Sequence, residues 1–198
     1  MKKKVNQKKR LRTIIFISIA IILLIGILLI MVNNGNPKVL IKTSKGDITL
    51  ELYSEKAPIT VENFLTYVNE SFYEGTVFHR IIPNFMVQGG GFDKTGSEKV
   101  THNAIKLESD KGLSNEKGTI AMARTMVQDS ATSQFFINLN DNDFLNSGTR
   151  DAGYAVFGKV IKGIEIIEEM GKVQTTTKNG MDDWPVEEII IESIELLA

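Results

Sequence analysis

The sequence predicts a mainly β protein: a closed eight-stranded antiparallel β-barrel capped by two α-helices and preceded by one transmembrane helix. Three observations lead to this prediction. Short apolar runs typical of strands recur through most of the chain, two segments have helical spacing, and twenty consecutive residues near the N-terminus carry no charge. Eight short strands leave exposed edges in a flat sheet, whereas a closed barrel has none.

The N-terminal region contains a candidate membrane anchor. Residues 1–12 carry seven Lys or Arg and no acid, and residues 13–32 are uncharged. A helix of that length spans about 30 Å, the thickness of the hydrocarbon core. Because basic flanks stay inside, we predict a single-pass protein of the cell membrane. It would have a basic cytoplasmic tail (1–12), a signal-anchor helix (13–32), a linker (33–37) and an extracytoplasmic domain (38–198).

A cleaved signal peptide is the alternative interpretation of the same segment. The apolar run is longer than the ~7–15 residues of a signal core, and no A-x-A-like cleavage site follows it. We therefore favour the uncleaved anchor.

Composition excludes several classes of function. The chain has no cysteine, which excludes disulfides, cysteine-ligated metals and a cysteine nucleophile. Taking the seven N-terminal bases from 23 leaves 16 bases against 24 acids, a net charge of −8 for the remainder. An acidic surface argues against a nucleic-acid partner. The two histidines, His79 and His102, have no cluster of further ligands nearby in sequence, so we predict no metal site.

The strands and helices of residues 38–198 are predicted in order. Lys38–Lys42 and Asp47–Tyr53 form a hairpin, and the second of these runs alternates apolar and polar residues. One helix begins at Pro58, where apolar residues then recur at helical spacing, and a second covers Gly163–Met170. The remaining predicted strands are Val77–Ile82, Phe85–Gln88, Thr119–Ala123, Gln134–Asn138, Tyr154–Val160 and Glu188–Leu196.

Four sequence blocks resemble one protein family. YEGTVFHRIIPNFMVQGGG (73–91) resembles the signature of the cyclophilins, the peptidyl-prolyl cis–trans isomerases. GTIAMAR (118–124), DSATSQFFI (129–137) and GYAVFGKV (153–160) resemble three further blocks, in the family's order. The resemblance covers residues 38–197 and is to the compact bacterial type. It implies a helix-capped eight-stranded barrel with an open hydrophobic groove that binds a peptide, its proline lying in a pocket.

The resemblance implies that Arg80 is the catalytic residue. Rotation about an X–Pro bond faces a barrier of about 18–20 kcal/mol because the amide has double-bond character. Lowering that barrier requires a donor that stabilises the twisted amide, and no cofactor. In cyclophilins the arginine at this place contacts the substrate carbonyl and the prolyl nitrogen. Strand alternation predicts that Arg80 shares a face with Phe78 and Ile82. Taken in isolation, a surface arginine in a salt bridge would be the favoured interpretation of this residue.

The substrate-binding residues implied by the resemblance fall into three groups. Those that match the proline pocket are Phe85, Met86, Phe136 and Leu145. Those that match glutamines bonded to the substrate backbone are Gln88 and Gln134. Those that match the strip pairing with the peptide ahead of the proline are Ala123, Arg124 and Thr125, where the main chain matters more than the side chains.

Several positions depart from the best-known eukaryotic members. One is Arg124, which replaces an asparagine and which we expect to change the preference for the residue before proline. Phe144 replaces a tryptophan and so lacks the indole N–H donor. We therefore predict that cyclosporin, the family's cyclic-peptide inhibitor, binds weakly. Tyr154 replaces a histidine but keeps an aromatic ring and a hydroxyl at the groove, so isomerisation should persist.

These observations predict a membrane-anchored isomerase that accelerates X–Pro rotation in exported polypeptides and assists their folding outside the cytoplasmic membrane. Its partners would be proline-containing, unfolded clients, and it would need no cofactor. One alternative is a catalytically dispensable binding module or holdase chaperone that uses the same groove, although such a protein would not need Arg80. Another is a scaffold that docks membrane proteins through residues 13–32.

Overall fold

A computed structural model of the chain describes residues 35–197. The predicted tail, the membrane helix and the first part of the linker lie outside the described residues. Within residues 35–197, no helix is both long and apolar enough to cross a membrane. Pro37, at the end of the predicted linker, already contacts the domain, because its carbonyl accepts a 2.8 Å hydrogen bond from the Leu52 N–H.

The described residues form ten strands and two α-helices. The strands are β1 (Lys38–Thr43), β2 (Gly46–Leu52), β3 (Thr76–Ile82), β4 (Met86–Asp93), β5 (Thr119–Met122), β6 (Phe135–Asn138), β7 (Val156–Lys162), β8 (Thr175–Lys178), β9 (Met181–Pro185) and β10 (Ile191–Leu197). The helices are α1 (Pro58–Asn69) and α2 (Ile164–Met170), and one 3-10 turn covers Asp143–Leu145. All eight predicted strands and both predicted helices are present, whereas β8 and β9 were not predicted.

Eight strands form one antiparallel sheet in the order β10-β1-β2-β7-β5-β6-β4-β3. The sheet curls until its two edges meet at a single bridge between Val77 and Ile190. Two backbone hydrogen bonds of 2.9 Å, from Gly75 N–H to Ile191 O and from Phe78 N–H to Ile189 O, complete this contact. The prediction of a closed barrel is therefore confirmed only as a curled eight-stranded sheet with two helices, since no continuous ladder joins β3 to β10. The chain that leads from β9 into β10 runs beside β3 only at residues 189–191, so the contact between the two edges of the sheet is short.

Helix α1 begins at Pro58, whose missing N–H would have no partner in the first turn. The preceding Ala57 provides no side-chain cap. Instead, the buried carboxylate of Glu108 accepts hydrogen bonds from the N–H of Ile59 (3.3 Å), and from the N–H and the hydroxyl of Thr60 (2.8 Å each). These bonds satisfy free amide groups and place a carboxylate at the positive end of the helix.

The inside of the curled sheet is filled by a large apolar cluster, called here the barrel core. Its largest members are Phe64, Tyr67, Tyr73, Phe78, Phe135 and Phe157. The Phe64 ring, carried by α1, lies 5.3 Å from Phe157 and 5.7 Å from Phe135, centroid to centroid. Helix α2 adds Ile167 and Met170. The two helices therefore pack against the sheet interior, where aromatic rings account for much of the buried area.

The alternation predicted for β3 is wrong at its start. Phe78 packs in the barrel core together with Ile81, whereas Arg80 and Ile82 lie on the opposite face. The ladder pairs Phe78 with Gly89 and Arg80 with Gln88, so β3 advances two residues while β4 advances one. His79 is the extra residue of this β-bulge. One extra residue exchanges the faces of every side chain before it.

The unpredicted β8–β9 hairpin packs against β3. Trp184 anchors it, being almost completely buried, with ring centroids 6.0 Å from His79 and 6.4 Å from Phe92. The turn is Asn179-Gly180, and both residues have positive φ, as two-residue hairpin turns favour. This dipeptide is a strong hairpin signal and could have predicted the element, although the flanking strands lack apolar alternation.

Candidate active site

The strands that enclose the barrel core also carry a second apolar cluster on their other face. This cluster, called here the groove floor, consists of Met86, Ala121, Phe136 and Val156 on the strands, together with Leu145 on the 3-10 turn. On each strand its members are sequence neighbours of core residues, as Phe136 is of Phe135 on β6. The alternation of strand side chains thus builds both clusters from one set of strands.

The groove floor borders an open cavity of about 480 Å³. The residues that line it are Arg80, Phe85, Met86, Gln88, Ala123, Arg124, Phe136, Phe144, Leu145, Arg150 and Tyr154. Ten of the twelve predicted site residues are among them. Gln134 and Thr125 are not, but both contact lining residues through hydrogen bonds. The volume is within the range of sites for small ligands or side chains.

Arg80 lies at the rim of the cavity, where β3 continues past the bulge. Its Nε atom is 3.6 Å from Oδ2 of Asp183 on β9, and both side chains are partly exposed. Asp183 adopts a left-handed backbone conformation, with φ of 63°. Within residues 35–197 the terminal guanidinium nitrogens of Arg80 make no hydrogen bond, so they remain available to donate into the cavity.

The two predicted glutamines contact each other. Nε2 of Gln88 donates a 3.0 Å hydrogen bond to the side-chain Oε1 of Gln134. The main-chain carbonyl of Gln134 accepts a separate 2.9 Å hydrogen bond from the Ala123 N–H. Gly91 makes room for this arrangement, because a Cβ there would lie 2.5 Å from the Gln134 Cγ. A fixed amide pair beside Arg80 provides oriented donors and acceptors at the cavity rim.

Aromatic side chains flank the groove floor. Phe85 stacks on Phe144 with ring centroids 5.6 Å apart, and Phe136 meets Tyr154 edge-on at 5.6 Å. Phe144 is 44% exposed and lines the open cavity. The guanidinium of Arg150 lies 5.8 Å from that ring. The arrangement is an apolar slot with polar groups at one side.

Comparison with known proteins agrees with this geometry. Residues 38–196 match the family model of cyclophilin type peptidyl-prolyl cis-trans isomerases. This chain belongs to the cyclophilin family. It is 52% identical over 162 residues to a peptidyl-prolyl cis-trans isomerase of Acinetobacter baylyi, covering 82% of this chain and 86% of that one. It is 46% identical over 155 residues to peptidyl-prolyl cis-trans isomerase B of Escherichia coli, covering 77% and 94%. The chain is accordingly a peptidyl-prolyl cis–trans isomerase.

Solved structures support the same fold. A cyclophilin type isomerase of Cryptosporidium parvum superposes with a TM-score of 0.72 at 28% identity, covering 82% of this chain and 98% of that one. The same Cryptosporidium protein in the presence of the dipeptide Ala-Pro gives a TM-score of 0.71 at 29% identity, covering 81% and 99%. The domain of this protein therefore has the cyclophilin fold, and the match extends over nearly the full length of the solved relative.

Arg124 has a structural role in this cyclophilin that its sequence position did not indicate. Its buried guanidinium donates to the carbonyls of Gly153 (2.8 Å) and Thr125 (2.9 Å) and to Oδ1 of Asp151 (2.9 Å), and it lies over the Tyr154 ring at 4.6 Å. The side chain thus joins two segments that border the cavity. Because the Arg124 side chain is held by these contacts, the main chain of Ala123–Thr125 is the part of this strip that can bond to a ligand.

His79 is almost completely buried. Its Nδ1 has no hydrogen-bond partner among the described residues, and its ring meets Phe92 edge-on at 4.7 Å. Burial lowers the pKa of His79 to about 4, and the neighbouring positive charge of Arg80 also lowers this pKa. The ring is therefore neutral at pH 7 and adds no charge beside Arg80.

Two residues beside the cavity were not predicted, Arg150 and Asp183. Neither lies in a block that resembles the family, and each reaches the site only through the folded chain. As for metals, the described part of the chain has no group of three or more His, Asp or Glu side chains that could bind one ion.

Proposed function

We propose that this isomerase acts on exported polypeptides outside the cytoplasmic membrane, that residues 13–32 anchor it there, and that Arg80 carries the catalysis. The observation that supports the catalytic part most directly is the position of Arg80 at the rim of an apolar cavity, with its terminal nitrogens available. The charge asymmetry around residues 13–32 supports the location.

Substrate binding would use the groove floor and the polar rim together. The proline ring of the client enters the slot formed by Met86, Phe136 and Leu145, which buries it without hydrogen bonds. Gln88 and Gln134 bond to the client backbone on one side of the proline, and the main chain of the Ala123–Thr125 strip bonds to it ahead of the proline. The related Cryptosporidium isomerase in the presence of Ala-Pro supports a proline-containing ligand.

Catalysis would then consist of hydrogen bonding alone. An N–H of Arg80 donates to the prolyl nitrogen as the amide twists, because only the twisted amide has its nitrogen lone pair localised and available. The bond weakens the double-bond character and is stronger in the transition state than in either planar state. No bond of the client breaks, and no proton is transferred.

A binding module is the second candidate function, and it is favoured by the exposed apolar ring of Phe144 beside the cavity. The two candidates differ in what Arg80→Ala does in cells. We expect that a strain carrying only this variant behaves like a deletion strain in folding of exported, proline-rich reporters. A strain indistinguishable from wild type would mean that peptide binding, and not isomerisation, is the physiological function.

The absence of cysteine in the chain allows a direct test of location. Val100→Cys places the only thiol at a side-chain position that is 95% exposed, and Asn6→Cys places it in the predicted cytoplasmic tail. In intact cells, a membrane-impermeant maleimide should label the first variant and not the second. Labelling of the first only after lysis would contradict an extracytoplasmic domain, and a mature mass lacking residues 1–32 would contradict the anchor.

Weak cyclosporin binding is a further part of the proposal. Phe144 offers an apolar ring but no N–H donor at the cavity rim. We expect the cyclosporin concentration that inhibits Phe144→Trp to be about tenfold lower than the concentration that inhibits the wild type. One restored hydrogen bond would give an effect of this size. Equal sensitivity of the two proteins would show that the missing donor is not what limits binding.

A further inference from the structure

The loop that follows the Ala123–Thr125 strip exposes two apolar side chains. Met126 is 94% exposed and Val127 is 66% exposed. Single exposed apolar residues are ordinary on protein surfaces. These two are adjacent, and Met126 is two residues beyond Arg124, which lines the cavity. By chain geometry their Cα atoms lie within about 8 Å (Met126) and about 11 Å (Val127) of the Arg124 Cα.

The loop is fixed by hydroxyl groups and not by its apolar residues. The Thr125 N–H donates to Oγ of Ser130 at 2.9 Å, the Ser130 hydroxyl donates to the Val127 carbonyl at 2.7 Å, and the Val127 N–H donates to Oγ1 of Thr125 at 3.2 Å. Oδ1 of Asp129 accepts a 2.9 Å bond from a neighbouring loop, at the Leu107 N–H. The loop conformation is therefore set before any ligand binds, which reduces the entropy lost on binding.

The main chain beside this loop has hydrogen-bonding groups to spare. The Ala123 N–H is paired with the Gln134 carbonyl. On the other side of this extended segment, among residues 35–197, neither the N–H nor the carbonyl of Arg124 has a hydrogen-bond partner, and in an extended chain these two groups point the same way. An extended peptide that pairs with these groups would continue along the strip towards Met126 and Val127.

We propose that Met126 and Val127 form an additional subsite for apolar side chains of the client, three and four residues before the proline. This proposal rests on the proposed use of the groove, in which the strip pairs with the peptide ahead of the proline. The occupant is the upstream segment of the same client polypeptide, because the subsite continues the surface that binds the proline. The flexible thioether of Met126 suits clients whose apolar residues differ in shape.

The test compares two peptides that differ only at those two positions. One carries Leu-Val four and three residues before the proline, and the other carries Ser-Asn. For the full-length protein we expect a kcat/KM about five- to tenfold higher for the apolar peptide, through a lower KM, as partial burial of two apolar side chains would give. In Met126→Gln/Val127→Thr the two peptides should become equivalent, and the value for the polar peptide should stay unchanged.

A matched control is available at Val100, which is equally exposed but lies in a different loop. Val100→Thr should keep the full preference for the apolar peptide. Equal kcat/KM for the two peptides with the wild type, or an unchanged preference in the double variant, would overturn the subsite. Turnover of the polar peptide tests the isomerase site by itself, so the two failures are distinguishable. Unchanged unfolding by urea would exclude a general structural effect.

Discussion

The barrel core and the groove floor are built from the same strands but differ in what lies against them. Phe135 faces inward and is surrounded by the rings of Phe64, Tyr73 and Phe78, at centroid distances of 5.6–6.0 Å. Phe136, the next residue, faces a cavity of about 480 Å³. One face of the sheet is closed by packing, and the other is left open. The first face should therefore determine stability and the second should determine activity.

The largest expected effect separates these two phenylalanines. Phe135→Ala removes a ring that is enclosed on all sides, so we expect a loss of about 3–5 kcal/mol in the free energy of unfolding. Phe136→Ala removes a ring that already borders open space, so the loss should be clearly smaller, while kcat/KM for prolyl isomerisation falls about tenfold or more. Urea unfolding and a peptide assay on both variants check this. Equal destabilisation by the two changes would contradict the division of roles.

The next effect concerns His79, the bulge residue between the two faces. Burial and the Arg80 charge lower its pKa to about 4 in the folded state, against 6.5 when unfolded. Between these values the unfolded chain binds a proton that the folded chain does not. The free energy of unfolding should therefore fall by about 3 kcal/mol as the pH drops from 6.5 to 4, with no further loss from His79 below that.

The control for this pH dependence is His79→Gln, which does not titrate. Its unfolding free energy, measured by urea titration at several pH values, should lose less between pH 6.5 and 4 than that of the wild type. Identical slopes for the two proteins would mean that His79 is not the group that titrates.

A smaller effect is expected at Asp183, which we treat as a positioning residue for Arg80. Asp183→Asn removes the charge facing Nε of Arg80, and asparagine tolerates the left-handed conformation found there. An exposed pair contributes about 0.2–1 kcal/mol, so kcat should fall by up to about fivefold with KM unchanged.

Two controls accompany this change. Asp182→Asn alters the neighbouring carboxylate, which bonds to Thr177 Oγ1 at 2.7 Å instead, and should leave kcat unaffected. In an Arg80→Ala background, Asp183→Asn should change nothing further. An equal loss of kcat in both backgrounds would show that Asp183 acts on the hairpin structure and not on Arg80.

The smallest effect on stability is expected at the exposed loop. Met126→Gln and Val127→Thr replace side chains that are mostly in solvent, so each should change the unfolding free energy by less than about 0.5 kcal/mol. A larger loss, measured by urea unfolding, would mean that these side chains pack against the domain and are not available to a client.

The sequence predicted the fold where side-chain periodicity alone decides it. Ile48, Leu50 and Leu52 alternate along β2 and are all buried. The bulge at His79 was missed because it depends on the register between β3 and β4, which no local pattern records. The β8–β9 hairpin was missed although Asn179-Gly180 marks its turn.

The candidate site was predicted from the family resemblance more than from periodicity. Ten of the twelve predicted residues line one cavity. Asp183 and Arg150 reach the site from regions outside the four blocks, so only the folded chain brings them there. The structural use of Arg124 likewise required knowledge of its partners, Asp151 and Gly153. The anchor at residues 13–32 stays a prediction.

The most direct test of the proposed mechanism is prolyl isomerisation by the full-length protein and by Arg80→Ala. We expect kcat/KM to fall about a hundredfold, or roughly 3 kcal/mol of transition-state stabilisation, with peptide affinity and urea unfolding nearly unchanged. Arg80→Lys keeps the charge but not the planar donor fork, so it should remain well below the wild type. If Arg80→Ala retains wild-type kcat/KM while binding the peptide normally, Arg80 is not the catalytic residue.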